Sequence, residues 1–195
     1  MEQRKSYFER KTNETDVRVV MNLDGQGRVE AFTGVGFFDH MITLLGRHAG
    51  FDLEIKAVGD LQVDAHHTLE DVAICLGRAL KDALGEKKGI SRYGHVILPM
   101  DEALVLVSID LSGRGYLGLK AEFAAPRVGD MDTELVEEFL RAFALNGELT
   151  LHVRVLEGRN THHIIEAIFK GLARALKMAV ARDGGEGVPS TKGVL

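Results

Sequence analysis

Residues 66–84, HHTLEDVAICLGRALKDAL, return 96 positions later as residues 162–180, HHIIEAIFKGLARALKMAV. Nine of the 19 aligned positions are identical. They are His66/His162, His67/His163, Glu70/Glu166, Leu76/Leu172, Arg78/Arg174, Ala79/Ala175, Leu80/Leu176, Lys81/Lys177 and Ala83/Ala179. The run before each copy also matches in pattern, Leu53-Glu54-Ile55-Lys56-Ala57 against Leu151-His152-Val153-Arg154-Val155. We read a tandem duplication of a ββαβα unit, with residues 1–92 as the first repeat. Residues 93–195 are the second repeat, ending in a glycine-rich tail from residue 183. The expected class is α+β: two four-stranded sheets enclosing a layer of four helices. Amphipathic helices must bury their apolar faces on a sheet or on one another, and a helical layer between sheets does both.

Around these two helices the remaining elements follow from periodicity. Ser6–Arg10 and Thr15–Leu23 read as strands. Asp24-Gly25-Gln26-Gly27 reads as a hairpin turn that returns the chain through Arg28–Phe32, since Asp-Gly between alternating runs favours tight hairpins. A helix spans about Phe38 to His48 with Gly50 as its stop. Phe51–Val58 alternates as a half-buried strand. His67–Leu84 is a helix closed by Gly85. In the second half, Val96–Leu98, Ala103–Asp110 and Leu149–Leu156 are strands. Thr133–Leu145 and His162 to about Ala181 are helices.

The repeated motif carries the chemistry. Positions i and i+4 of a helix lie on one face, about 5–6 Å apart at Cβ. His66 with Glu70, and His162 with Glu166, therefore form two-toothed metal clamps. Adjacent residues point roughly 100° apart, so His67 and His163 aim at a different site. Two such helices imply two metal sites, each helix serving both. A cation at a helix N-terminus meets an unfavourable dipole, and the clamp glutamate offsets that charge. Mixed imidazole and carboxylate donors without thiolate suit Mn, Fe, Co, Ni or Zn, and Mn²⁺ is the preferred expectation. A clamp of two ligands leaves coordination open. His152, in a strand, and His40, after Gly36-Phe37-Phe38-Asp39, are candidates to fill it. Asp39 reads as an N-cap there. His48, near a helix end, has a sufficient structural role beside the dipole.

Composition narrows the classes. The chain has 195 residues, 45% hydrophobic, enough for a real core. A net charge of -5 argues against a nucleic-acid or membrane surface. The single cysteine, Cys75, sits in an apolar helical run, which excludes an internal disulfide framework and suits a reducing cytoplasm. The first residues, MEQRKSYFERKTNETD, have no apolar signal core, and no segment approaches a membrane span.

Read together, GVGFFDHM, DAHHTLED, GISRYG, LSGRGYLG, NTHHIIEA and PSTKGVL resemble the imidazoleglycerol-phosphate dehydratase family, in order and across nearly the whole chain. The resemblance implies conversion of imidazole glycerol phosphate to imidazole acetol phosphate in histidine biosynthesis, in the form without a fused phosphatase. It implies a fold of the ribosomal-protein S5 domain 2 class, trimers assembling to a 24-mer, and two Mn²⁺ per active site at subunit contacts. The implied ligands are His66, Glu70, His152 and His163 for one ion, and His40, His67, His162 and Glu166 for the other. Spacing alone supports the two clamps; it leaves open which lone histidine joins which clamp and which subunit supplies it. Arg92, Arg114, Ser190 and Lys192 match phosphate contacts, and Arg forks suit that group. Lys170, Glu14 and His48 match positions near the substrate. Glu14, Glu70 and Glu166 are the carboxylates placed in catalysis, with Glu14 the candidate for proton transfer. The reaction takes a C2 proton and the C3 hydroxyl, and the attached ring must accept charge for that C–H to yield. A dinuclear hydrolase shares the His/Glu set but wants bridging carboxylates. A ferritin-like storage bundle uses Glu-x-x-His, the reverse order, without intervening strands.

Overall fold

The computed structural model describes residues 3–185, 187–193 and 195. The first half runs β1 (Lys5–Lys11), β2 (Thr15–Asn22), β3 (Val29–Phe32), α1 (Gly36–Ala49), β4 (Asp52–Gly59) and α2 (His66–Leu84). The second runs β5 (Tyr93–Met100), β6 (Ala103–Asp110), β7 (Tyr116–Lys120), a two-stranded ribbon β8 (Arg127–Val128) and β9 (Met131–Asp132), α3 (Leu135–Asn146), β10 (Thr150–Glu157) and α4 (Thr161–Ala179). The sheet orders are β1-β2-β4-β3 and β5-β6-β10-β7, the same plan twice. In each half a third strand precedes the first helix, and this strand brings each sheet to four.

Alternation decides which face each strand buries. Val17, Val19 and Met21 of β2 and Leu53 and Ile55 of β4 point inward, as do Val105 and Val107 of β6 and Leu151 and Val153 of β10. The helices cover these faces and pair across the halves: α1 packs on α4 and α2 on α3. Phe139 of α3 sits at the junction, edge-on to Phe38 of α1 at 5.4 Å and stacked on Phe169 of α4 at 5.1 Å between centroids. Cys75 is buried in the same core.

The expected hairpin at Asp24-Gly25 does not form. β3 runs parallel to β4 on its far side, and β2 pairs with β4 instead. The cause lies in Asp52 at the start of β4. Its Oδ1 accepts the backbone N–H groups of Gln26 at 2.9 Å and Arg28 at 3.0 Å, so the turn wraps over the end of β4. Gly25 is needed for that passage, because a Cβ there would lie 2.4 Å from the Asp52 nitrogen. Asp39 is likewise not the N-cap. Val35 holds that position, and Asp39 reaches back one turn to accept from the Thr33 N–H at 2.9 Å and hydroxyl at 2.7 Å. Among the described residues no helix is long and apolar enough to cross a membrane.

Candidate metal and phosphate site

Helix α4 begins where Asn160 caps it, the side-chain oxygen accepting the N–H groups of His162 at 2.9 Å and His163 at 3.4 Å. That start fixes the helical frame, so His162, Glu166, Lys170 and Arg174 follow at i, i+4, i+8 and i+12. Packing of α1 on α4 brings His40 alongside. His162 Nε2 lies 3.1 Å from Glu166 Oε2, and His40 Nε2 lies 3.5 Å from the same oxygen. The three donor atoms fall within 4.8 Å of one another, the one such metal-competent group among the described residues. Two imidazoles and one carboxylate, without thiolate, fit a first-row divalent cation, and three donors leave coordination for further ligands. Lys170 Nζ holds the other Glu166 oxygen at 2.5 Å. Burial pushes the Glu166 carboxyl up, but hydrogen bonds from Lys170 and His162 outweigh it and keep the group below its ordinary range. Phe37 packs edge-on to His162 at 5.1 Å. His48, in the last turn of α1, is held below its ordinary value by burial, then by the charges of Lys170 and Arg174.

The adjacent histidines diverge as helix geometry requires, and equally in both copies. The rings of His66 and His67 stand 6.1 Å apart at 81°, and those of His162 and His163 6.1 Å apart at 83°. His67 Nδ1 faces Asp60 Oδ2 at 3.0 Å, with Glu14 Oε2 at 3.9 Å. His163 Nδ1 faces Glu102 Oε2 at 2.7 Å, and its Nε2 lies 3.7 Å from Asp101 Oδ2. Asp60 and then Glu14 raise the pKa of His67; Glu102 does the same for His163. The His163 contact and the Asn160 N–H in turn hold the Glu102 carboxyl down to about 2. Asp60, Asp101 and Glu102 were not singled out from the sequence. The signal for Glu102 is the duplication: the β5–β6 turn Asp101-Glu102 stands in its half where the β1–β2 turn bearing Glu14 stands in the other.

His152 projects from the outer face of the second sheet, between Ser108 on β6 and Gly118 on β7. Its ring lies over Gly118, where a Cβ would come within 2.6 Å of Nδ1, and beside Tyr116 at 5.5 Å. His66, Glu70, His152 and His163 do not gather into one group within this chain, among the described residues. Of the second expected set, His40, His162 and Glu166 converge, while His67 lies instead with Asp60 and Glu14.

The anion-binding candidates do meet. Arg92, Arg114, Ser190 and Lys192 line one cavity of about 600 Å³, together with Tyr93, Pro189, Thr191 and Leu195. Arg92 adopts φ +66°, in the left-handed region. There its Nε donates to Asp110 at 2.7 Å and its Nη1 to the Pro189 carbonyl at 2.8 Å, tying the tail to the second sheet. The Asp110 carboxylate beside Arg92 raises the already high guanidinium pKa.

The chain is similar to known proteins over nearly its whole length. The family model described as imidazoleglycerol-phosphate dehydratase matches residues 33–176. The imidazoleglycerol-phosphate dehydratase of Desulforamulus reducens is 59% identical over 193 residues, 98% of each chain. That of Pelotomaculum thermopropionicum is 57% identical over 195 residues, all of both chains. The crystal structure of the Staphylococcus aureus dehydratase superposes with a TM-score of 0.83 at 42% identity, covering 91% of this chain and 99% of that one. The Pyrococcus furiosus enzyme, crystallised in complex with (S)-C348, superposes with a TM-score of 0.84 at 39% identity, covering 96% and 100%. On the strength of the family model and these full-length relatives, the chain belongs to the imidazoleglycerol-phosphate dehydratase family, hydro-lyases of histidine biosynthesis.

Proposed function

We propose that this chain dehydrates imidazole glycerol phosphate to imidazole acetol phosphate with two Mn²⁺ ions per active site. The observation that carries the reading is the cavity in which Arg92, Arg114, Ser190 and Lys192, drawn from separate stretches of sequence, present cationic and hydroxyl groups together. His40, His162 and Glu166 add the donor set of one ion, with His67 as its fourth ligand. His66, Glu70, His152 and His163 are the ligands of the other. When bound, the ions would supply Lewis-acid charge to the substrate. The chain's own groups do the rest. The two arginines and Lys192 hold the phosphate, and charge-assisted forks fix its orientation. Lys170 holds Glu166 in place, and His48 lies nearby as a substrate-facing imidazole. Glu14, beside His67, moves the C2 proton.

The scattering of the first ligand set supports sites shared between subunits, in trimers that build a 24-mer. So does the character of the outer faces. Large apolar side chains stand exposed on both sheets, Tyr7, Val20, Phe32 and Val58 on the first and Tyr93, Ile97, Tyr116 and Leu156 on the second, the sheet that carries His152. An apolar outward face carrying an otherwise isolated ligand suits burial against another copy. The repeated sheet order supports a division into residues 1–92 and 93–195. The single buried Cys75 is in keeping with a reducing cytoplasm. Incubating the Mn²⁺-loaded protein with imidazole glycerol phosphate tests the reading. Loss of substrate with formation of imidazole acetol phosphate is expected. Phosphate release, or metal uptake with no turnover, would overturn it, and a stable monomer by native mass would overturn the shared site.

A further inference from the structure

An imidazole ligates through a bare nitrogen, so a metal-binding histidine must keep its proton on the other ring nitrogen. His67 and His163 are the motif histidines that point away from their own clamps, and each has a carboxylate on Nδ1. Asp60 approaches His67 Nδ1 with both oxygens, at 3.0 and 3.2 Å. Glu102 approaches His163 Nδ1 at 2.7 Å. A carboxylate ion only accepts, so Nδ1 is the protonated atom in both rings and Nε2 is left with its lone pair.

The two carboxylates reach the same ring atom by different routes. Asp60 comes from the turn between β4 and α2. In the second half the equivalent turn does not supply the group; the β5–β6 turn does. Duplication alone would have copied one route into both halves. Two routes to one contact point to a requirement on the ring itself. Glu102 is also firmly held: its Oε1 accepts the N–H of Asn160 at 2.7 Å and of Arg159 at 3.2 Å, the residues leading into α4.

We propose that Asp60 and Glu102 are positioning residues that lock His67 and His163 in the Nδ1-protonated form and so present Nε2 to the two cations. This rests on the reading of those histidines as ligands given above. Glu102→Gln is the discriminating change. Its amide oxygen keeps accepting the Asn160 and Arg159 N–H groups, while its NH₂ faces Nδ1, turns that nitrogen into an acceptor and moves the ring proton to Nε2. Asp60, whose two oxygens both face His67 Nδ1, is replaced by alanine, because an asparagine there could turn its amide oxygen to the same N–H; Asp60→Ala removes the acceptor and touches no helix cap.

The test is titration of the chelator-treated full chain with Mn²⁺, free ion followed by electron paramagnetic resonance, beside thermal unfolding of the metal-free variants. Both variants are expected to bind Mn²⁺ about 10–100-fold more weakly, with the metal-free unfolding midpoint at the wild-type value. Wild-type affinity in both folded variants overturns the proposal, and wild-type affinity in one overturns it for that histidine. Should Glu102→Gln fail to fold, Asp60→Ala decides. His67→Ala and His163→Ala serve as controls. If these keep wild-type affinity, the ligand reading itself fails, an outcome separable from failure of the positioning role.

Discussion

Glu14 is an exposed carboxylate on a turn that is anything but loose. The Thr12 hydroxyl accepts the N–H of Glu14 at 3.1 Å and of Thr15 at 3.0 Å. The Thr15 hydroxyl donates to the buried Asp71 on α2, whose other oxygen lies 3.4 Å from Arg10 Nε. The turn is thus bonded to the helix that opens with His66 and His67, and Glu14 is held near His67 without burial. Replacing it with glutamine keeps the size and removes the proposed base. Glu14→Gln should lower kcat by about 100-fold or more while metal content, measured by elemental analysis, stays at wild type. A wild-type rate would remove Glu14 from the chemistry. Gly118 shows the complementary case, in which the absence of a side chain leaves room for the His152 ring.

At the scale of elements, the α2–α3 crossing is the tightest contact between two helices that the glycines reveal. A Cβ on Gly77 would lie 2.7 Å from both the Phe143 carbonyl oxygen and the Gly147 nitrogen, backbone atoms that cannot rotate away. The aligned position in α4 is Ala173, buried yet tolerated. Gly77→Ala would gain about 1 kcal/mol of helix propensity but meets an overpacking cost of about 1–3 kcal/mol. The variant should therefore show a lowered urea midpoint despite the better helix former. A raised midpoint would mean that the two helices separate without cost.

For the whole molecule, Arg4 joins the first sheet to the end of the last helix. Its guanidinium pairs with Asp24 and donates to the Val180 carbonyl at 2.6 Å, and Arg182 lies 3.7 Å from Asp24. The Arg4 hydrogen bond holds the Asp24 carboxyl at about 2, below its ordinary 3.8. A lowered carboxyl pKa stabilises the fold above the unfolded value and loses that contribution as pH falls from 3.8 towards 2. Asp24→Asn should cost about 1 kcal/mol at neutral pH, allowing for solvent screening of a partly exposed pair. The difference from wild type should close near pH 2. Urea unfolding at both pH values and one protein concentration checks this, the concentration being fixed because assembly adds to apparent stability. A difference that persists undiminished in acid would place the effect elsewhere than in the ion pair.

The sequence by itself determined the duplication, the helical frames of α2 and α4, the pairing of His162 with Glu166 and the divergence of the adjacent histidines in both motifs. These follow from spacing along one element, where 3.6-residue periodicity dictates which side chains share a face. Membership of the family was legible too, because its motifs are short and contiguous. Tertiary structure alone decided that β3 crosses to the far edge of β4, since that depends on Asp52 catching a turn more than twenty residues earlier in the chain. The short strand β7 was hidden by Gly118 within it and by Gly113 and Gly115 just before it. Only the fold brought His40 of α1 to His162 and Glu166 of α4, gathered Arg92, Arg114, Ser190 and Lys192 around one cavity, and set Asp60 and Glu102 against the imidazoles. Such meetings depend on how distant elements pack, and local periodicity carries no record of packing partners.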